Sequence, residues 1–227
     1  MREELGLREL KKHKTRQLIT DTARELFAAR GFENVSVAQI ARAAELSETT
    51  VFNYFPTKED LVFQGLEAFE EQLLQAVRDR PAGDGVLRAF GRFILEPRGL
   101  LAATDPASAD ALLAASRMIA SSPTLAAREQ QILARYADSL GALLAEETGA
   151  SAGDLTPSVV ANTLIGFHRA MLDHVRRRIA ENPADLRQFA RAVYAEGQKA
   201  LELLAEGLAG YGVRPAPLTT KRSNMSP

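Results

Sequence analysis

Residues 37–55 constrain the fold of this chain more than any other segment. Their sequence, VAQIARAAELSETTVFNYF, predicts two short helices joined by a tight turn. In the first helix Ile40, Ala41 and Ala44 fall at helical spacing and form an apolar face. Ser36 precedes this helix, with a glutamine three residues later, which is the pattern of a capping box.

The second helix of this pair carries an unusual outward face. Ser47 is expected to cap it, and Val51 and Phe55, which are four residues apart, are expected to face inward. The side chains left to face outward or to form the edge are Glu48, Thr49, Thr50, Phe52, Asn53 and Tyr54. This arrangement is typical of a helix-turn-helix that places its second helix in the major groove of DNA.

The neighbouring segments supply the helices that such a short element needs for stability. An amphipathic helix is predicted from about Leu10 to Arg30, with Gly31 as its left-handed stop. On the other side, a connecting helix is predicted from Lys58 to Val77. Together these segments predict a three-helix head followed by a long connecting helix.

Two runs in this region resemble a known family. The segments 15–41, TRQLITDTARELFAARGFENVSVAQIA, and 54–61, YFPTKEDL, are similar to the tetracycline-repressor (TetR) family of bacterial regulators. The resemblance covers about residues 13–73. It implies an all-α fold, in which a helix-turn-helix head is joined by the connecting helix to a helical ligand-binding and dimerisation domain.

The residues and the resemblance together predict four regions. They are a basic N-terminal arm at 1–12, the DNA-binding head at 13–73, an effector-binding and dimerisation domain at 85–209, and a disordered tail at 210–227. Within the second domain, helices are predicted at 86–95, 106–120, 123–148, 157–180 and 183–208, because prolines mark several first turns. Residues 98–105 are expected to form a loop or a short helix.

Geometry and resemblance assign the contacts of the head to DNA. Thr49, Thr50 and Asn53 are expected to face base edges, because methyl and amide groups suit thymine and adenine. Glu48 either accepts from a cytosine amino group or orients Arg42. Phe52 stands where many family members carry tyrosine, so an apolar contact with a thymine methyl or simple packing is expected.

Contacts with the DNA backbone are expected from a second set of side chains. The predicted phosphate contacts are Thr15, Ser36, Tyr54 and Lys58. A basic cluster from Arg8 to Arg16 is either an arm that contacts phosphates or a solvated helix face. The net charge of −1 argues against a general nucleic-acid coat protein.

The last two long helices are predicted to form a homodimer, as a four-helix interface around a two-fold axis. The residues assigned to this interface are Val160, Leu164, Phe189, Val193 and Leu201. Filling of a monomer core is the alternative for such residues. A dimer would present its two heads to half-sites about one helical turn apart, roughly 34–36 Å.

The resemblance also implies a small-molecule pocket among the middle helices. The residues assigned to this effector pocket are Phe90, Phe93, Arg117, Met118, Tyr136, Asn162, Phe167, His168 and Met171. Apolar walls with a few polar groups are typical of such sites, although residues at this spacing also form ordinary cores. In the expected mechanism, the effector changes the angle of the connecting helix and moves the two heads out of register.

The expected function is a ligand-responsive DNA-binding transcriptional regulator, most simply a repressor released from a palindromic operator by an apolar or amphipathic effector. A helical protein-binding or scaffold module is the alternative. An enzyme is disfavoured, because no HExxH, GxSxG, P-loop or GxGxxG motif occurs. The chain has no cysteine and lacks an apolar run of the ~20 residues that span a bilayer. We expect a cytoplasmic protein without a cofactor.

Overall fold

The computed structural model describes residues 2–96, 106–181 and 185–207. Within these ranges the chain is all-α, with nine α-helices, one short 3-10 helix and no strand. The helices are α1 (Arg2–Arg30), α2 (Val37–Ala43), α3 (Glu48–Tyr54), α4 (Leu66–Arg78), α5 (Val86–Leu95), α6 (Pro106–Ser121), α7 (Pro123–Thr148), α8 (Thr156–Ala180) and α9 (Leu186–Glu206). The all-α fold predicted from the sequence is confirmed.

Helices α1–α3 and the 3-10 helix Glu59–Leu61 form a unit that we call the head. Its core is a single cluster of buried side chains, which includes Ile19, Ala23, Phe27, Phe32, Val35, Ile40, Ala41, Val51, Phe55 and Leu61. Gly31 ends α1 with φ of 77°, as predicted, and this turn brings the Phe32 ring to 5.1 Å from that of Phe27. Most of the side chains in this cluster come from the head itself.

A connecting helix, α4, is present as predicted, but its predicted start at Lys58 is wrong, because the helix begins only at Leu66. The chain forms the 3-10 helix, turns at 62–65, and enters α4 only at Leu66. Gly65 has φ of 78°, a left-handed conformation that glycine adopts without steric cost. The Gln64 amide donates to the Leu61 carbonyl oxygen at 3.0 Å and accepts from the Thr20 hydroxyl at 2.9 Å, which holds the turn against α1.

Helices α4–α9 form a second unit, which we call the regulatory domain. Its main core gathers side chains from α4, α5, α7, α8 and α9 around Phe90, Tyr136 and Leu140. Helices α5 and α9 approach closely at two glycines: a Cβ added to Gly91 would lie 2.5 Å from Leu201 Cδ1, and one added to Gly197 would lie 2.5 Å from Leu95 Cδ2. The small residue at 197 therefore serves packing inside one protomer.

The helices of the regulatory domain agree closely with the predicted segments. The bounds of α5 and α7 are those predicted, and α6 and α8 each differ by one residue at one end. Helix α9 is shorter than predicted, since Asp185 caps it through hydrogen bonds from the backbone N–H groups of Arg187 and Gln188. The predicted loop at 98–105 and the predicted tail at 210–227 lie outside the described residues.

The junction of α6 and α7, residues 118–125, packs against the head, and we call it the α6–α7 corner. Ile119 and Leu125 belong to the core cluster of the head, and Met118 packs against it. The Ser122 hydroxyl donates to the Glu33 carboxylate in the turn after α1. The head is thus attached to the regulatory domain through this corner as well as through the chain that leads into α4.

Candidate nucleic-acid interface

The recognition helix α3 is held in place by its cap and by two buried side chains. The Ser47 hydroxyl accepts a hydrogen bond from Thr50 N at 3.1 Å, which confirms the predicted cap. Val51 and Phe55 are each only 1% exposed. The opposite side of α3 is exposed and carries Glu48, Thr49, Phe52 and Asn53.

Phe52 is 45% exposed on this side of α3. Thr49, Phe52 and Asn53 share the exposed face, so the strip combines a methyl and hydroxyl, a ring and an amide. These groups suit contacts with thymine methyls and adenine edges. Their contact with DNA remains a prediction.

Thr50 and Tyr54 are less available than the sequence predicted. Both are half-buried, and Tyr54 packs against the core of the head. The Thr50 hydroxyl lies 2.8 Å from the Ser47 hydroxyl and is hydrogen-bonded to it. These two side chains therefore help to position α3, and their predicted contacts with base and phosphate stay predictions.

Ser36 caps α2 through the complete capping box expected from the sequence. Its hydroxyl accepts from Gln39 N at 3.2 Å, and the Gln39 side chain accepts from Ser36 N at 2.8 Å. Ser36 is exposed and Thr15, on α1, is half-buried. The phosphate contacts predicted for both side chains stay predictions.

Lys58 is turned toward the inside of the head. Its ammonium donates to the carbonyl oxygens of Phe32 and Val35, at 3.0 and 3.1 Å, and lies 4.0 Å from the centroid of the Phe32 ring. Two of its three N–H groups therefore stabilise the turn between α1 and α2. Only the third is available for the predicted phosphate contact, and the side chain has a structural role that the sequence did not reveal.

Arg16 is a residue of this interface that the sequence analysis did not separate from the basic cluster. Its Nη1 donates to the Tyr54 carbonyl oxygen at 3.3 Å, at the C-terminal end of α3, and its guanidinium lies 4.5 Å from the centroid of the Phe55 ring. The hydrogen bond joins two residues that are 38 positions apart. No local pattern in the sequence marks such a pairing.

The basic cluster lies on a helix. Helix α1 begins at Arg2, so residues 2–12 continue directly into it, and the chain has no break at the predicted boundary between arm and head. Lys11, Lys12, His13 and Lys14 are all exposed on this part of α1. The positive charge of the three lysines extends the exposed surface of the head along the first helix.

The residues assigned to the effector pocket lie in three environments of the described structure, and their role in binding an effector stays a prediction. Phe90, Phe93, Tyr136 and Phe167 are buried in the main core, with Met171 at its edge. Met118 packs against the core of the head, and Arg117 is exposed. The exposed Asn162 donates to the Ser158 carbonyl oxygen one helical turn earlier, at 2.9 Å.

His168 differs from the rest of this set. Its imidazole stacks on the Phe69 ring with centroids 5.4 Å apart, and its Nδ1 is buried with no hydrogen-bond partner in the described part of the chain. Burial lowers the pKa of His168 to about 4, an effect that the nearby Arg176 reinforces and Glu129 opposes. Arg176 and Glu129 form a bidentate ion pair with N–O distances of 2.9 and 2.5 Å.

An open groove of about 230 Å³ lies between α7 and α8. Leu133, Ile165 and Gly166 line it together with polar side chains that include Asn162 and Arg169. Of the predicted pocket residues, only Asn162 lines this groove. It is a feature of the surface and differs from the aromatic interior that the sequence suggested.

The interface assigned to the last two helices requires correction. Leu164 and Leu201 are buried in the main core, and Val160 packs against it. Phe189 and Val193 are buried in a third cluster between α8 and α9. These residues fill the interior of one protomer, because α8 and α9 pack against α5 and α7 through the same apolar stripes that suggested an interface.

A capped recognition helix, exposed on a three-helix head and joined to a larger helical domain, defines a helix-turn-helix regulator. Comparisons with known proteins agree. Residues 19–64 match the model described as bacterial regulatory proteins of the tetR family, and residues 99–208 match that of the MftR C-terminal domain. Together these matches cover both the head and the regulatory domain. The chain belongs to the TetR family and is a DNA-binding transcription regulator.

Individual relatives show the same relationship. The regulator MftR of Mycobacterium tuberculosis is 28% identical over 163 residues, which cover 69% of this chain and 77% of MftR. TcmR of Streptomyces glaucescens, an HTH-type transcriptional regulator, is 40% identical over 85 residues, or 37% of this chain. That match spans only 38% of the length of TcmR.

A solved structure supports the fold. NalD of Pseudomonas aeruginosa, the secondary repressor of a multidrug efflux pump, superposes with a TM-score of 0.54 at 21% identity. The match covers 82% of this chain and 96% of that one. Within the described residues, no helix is long and apolar enough to cross a membrane.

Proposed function

We propose that the protein is a homodimeric repressor, which binds a palindromic operator through α3 of each protomer and releases it when a small apolar or amphipathic effector binds. The observation that carries this proposal is the exposed strip of Thr49, Phe52 and Asn53 on a helix fixed from behind by Val51 and Phe55. A strip of exposed side chains on a helix that the head core holds in place can contact a surface of regular, repeating geometry. Duplex DNA, read in its major groove, is that surface.

The test measures DNA binding by fluorescence anisotropy, with a palindromic fragment from the region next to the gene and with an unrelated duplex. Asn53→Ala and Thr49→Ala are each expected to weaken specific binding about tenfold or more, because a good base contact is worth ~1–3 kcal/mol. Binding to the unrelated duplex, which depends on phosphate contacts, is expected to change little.

Gln131→Ala is the control, since Gln131 is an exposed polar side chain on α7. It is expected to bind both duplexes like the wild type. Lys58 is not a suitable target, because its loss would also destabilise the turn at Phe32 and Val35. Full retention of specific binding by Asn53→Ala and Thr49→Ala would remove the assigned strip from the operator contacts.

The dimer is proposed to form through the outer faces of α8 and α9. Val159 on α8 and Tyr194 on α9 are about half exposed, at 51% and 48%. Gly166 lies on the same side of α8 as Val159, two turns further on, and lines the groove between α7 and α8. An isologous pairing of these faces would bury the exposed apolar side chains.

Control by an effector is proposed to act through the α6–α7 corner. Helix α4 is separated from the head by the turn at Gly65, so it is poorly suited to act as a rigid lever. The corner is attached to the head by Ile119 and Leu125 and by the hydrogen bond from Ser122 to Glu33. Just beyond the corner on α7, Arg128 adds an ion pair with Asp60 at 3.0 Å.

A ligand that rearranges the regulatory domain would therefore displace the head through these contacts. Coupling of this kind is typically worth ~1–3 kcal/mol. Compounds that raise the melting temperature are expected to release the operator in the anisotropy assay. If every stabilising compound leaves operator binding unchanged, the effector response is rejected while DNA binding stands.

A further inference from the structure

One side chain from α1 adds a polar contact to the C-terminal end of the recognition helix, where Phe55 is buried in the head core and Tyr54 packs against it. Helix α3 has only seven residues, and its last carbonyl groups have no partner further along the helix. The Arg16 guanidinium donates to one of them, the Tyr54 carbonyl oxygen, at 3.3 Å. It also lies 4.5 Å from the centroid of the Phe55 ring and covers a side chain that is 1% exposed.

Three physical effects favour this position for an arginine. The C-terminal end of a helix carries partial negative charge, which a cation stabilises. A planar guanidinium can lie over an aromatic ring and donate at its edge at the same time. A hydrogen bond from a charged donor is stronger than one between neutral groups.

The other end of α3 is fixed by different means. There the Ser47 cap and the turn from α2 hold the helix through local contacts. The contact with Arg16 reaches across 38 residues and ties the far end to α1. With the start of α3 anchored, this contact limits how far the helix can tilt.

We propose that Arg16 is a positioning residue that sets the tilt of the recognition helix and thereby the discrimination between operator and unrelated DNA. This inference rests on the proposed DNA binding by the exposed strip. Base contacts through Thr49 and Asn53 require the helix to lie at one angle and depth. Phosphate contacts tolerate small tilts, because they depend mainly on charge and distance.

The first experiment compares the ratio of operator affinity to affinity for an unrelated duplex across several salt concentrations. Arg16→Ala is expected to lower this ratio about tenfold, the size of a charged hydrogen bond. Arg16→Lys keeps a charge and a donor, and is expected to recover part of the lost ratio. Arg24→Ala is the matched control, since Arg24 is an exposed arginine on α1 whose ion pair is with Asp21.

The salt dependence separates positioning from a direct phosphate contact. If Arg16→Ala weakened binding to both duplexes equally, with a salt slope lower by ~0.9, Arg16 would be a phosphate contact and the inference would be wrong. The inference would also be overturned if Arg16→Lys had the same ratio of operator affinity to unrelated-duplex affinity as Arg16→Ala. A wild-type protein without operator preference would instead refute the proposed function.

The second experiment needs no DNA and therefore remains decisive if the proposed function fails. In the free protein, the Phe55 N–H donates to the Val51 carbonyl oxygen at 2.9 Å, at the end of α3. Arg16→Lys and Arg16→Ala are both expected to speed hydrogen exchange at residues 52–55, with Ala the faster, while residues 40–43 of α2 exchange as in the wild type. Unchanged exchange at 52–55 in a folded Arg16→Ala protein would show that Arg16 does not hold this end.

Discussion

His168 has a buried imidazole nitrogen for which the described part of the chain offers no partner. Its ring lies flat against Phe69, and burial holds the pKa of His168 at about 4 against an ordinary value of 6.5. A neutral histidine is therefore part of the folded state at neutral pH. Protonation would place a charge in a site that is shielded from water.

This burial predicts a specific loss of stability in acid. Between pH 6.5 and 4 the unfolded chain binds a proton at residue 168 that the folded chain does not, so the free energy of unfolding falls as the pH falls. The full effect is up to about 3 kcal/mol. His168→Phe, which keeps an aromatic ring against Phe69, is expected to lose less stability than the wild type between pH 7 and 4.5 in urea unfolding.

The control is His13→Gln, because His13 is exposed on α1. Its stability is expected to follow pH as the wild type does. An identical pH dependence for His168→Phe and the wild type would contradict the assignment of a low pKa to His168.

Among the helices, the decisive feature is the break before α4. A continuous helix would carry residues 62–65 along a straight axis. The structure instead turns the chain there, so that Val62 and Phe63 pack against the core of the head. Gly65, at φ of 78°, makes this turn possible.

Gly65→Ala tests the break. A Cβ at this position would meet nothing within 4 Å, so any effect comes from the backbone conformation. An L-residue pays ~1–2 kcal/mol for a left-handed conformation, and urea unfolding is expected to show a loss of about 1 kcal/mol. Gly85→Ala is the matched control, because Gly85 is also open but has φ of −80°. Since Gly85 is the N-cap of α5, where alanine is less favourable than glycine, this variant is expected to lose about 0.5 kcal/mol or less. Equal free energies of unfolding for the two variants would contradict a left-handed backbone conformation at Gly65.

For the molecule as a whole, two surfaces of the regulatory domain bear on the proposed placement of the two heads on DNA. The α6–α7 corner ties the head to the regulatory domain, and the outer faces of α8 and α9 carry exposed side chains in the described part of one protomer. The buried stripes of these two helices are occupied by the protomer's own core. An interface between two copies must therefore use residues that the apolar pattern did not select.

Gly166→Glu tests this proposed interface. A side chain at Gly166 meets nothing within 4 Å inside the protomer, so the fold is expected to tolerate it. In a dimer it would bury a charge, which is costly. Sedimentation equilibrium is expected to give about twice 24.7 kDa for the wild type and a shift toward 24.7 kDa for the variant.

Ala28→Glu is the control, since Ala28 is exposed on α1 in the head. It should sediment like the wild type. If Gly166→Glu remained as dimeric as the wild type, the proposed location of the interface on the outer face of α8 would be wrong.

The sequence by itself determined the local elements. Capping at Ser36 and Ser47, the stop at Gly31 and the inward pair Val51 and Phe55 depend on residues within a few positions of one another, so patterns of spacing predict them. The bounds of α5 and α7 were predicted for the same reason. The exposed strip of Thr49, Phe52 and Asn53 on α3 follows from the helical spacing of its residues alone.

The tertiary structure decided which surfaces those elements use. An apolar stripe indicates that one face of a helix is buried, but it does not indicate what covers that face. Phe189 and Leu201 were therefore assigned to a dimer interface, although they fill the core of one protomer. Lys58 and Arg16 are both basic residues near the head in the sequence. Their roles follow only from the fold. It brings the Phe32 carbonyl oxygen to Lys58, which stabilises the turn after α1, and the Tyr54 carbonyl oxygen to Arg16 at the end of α3.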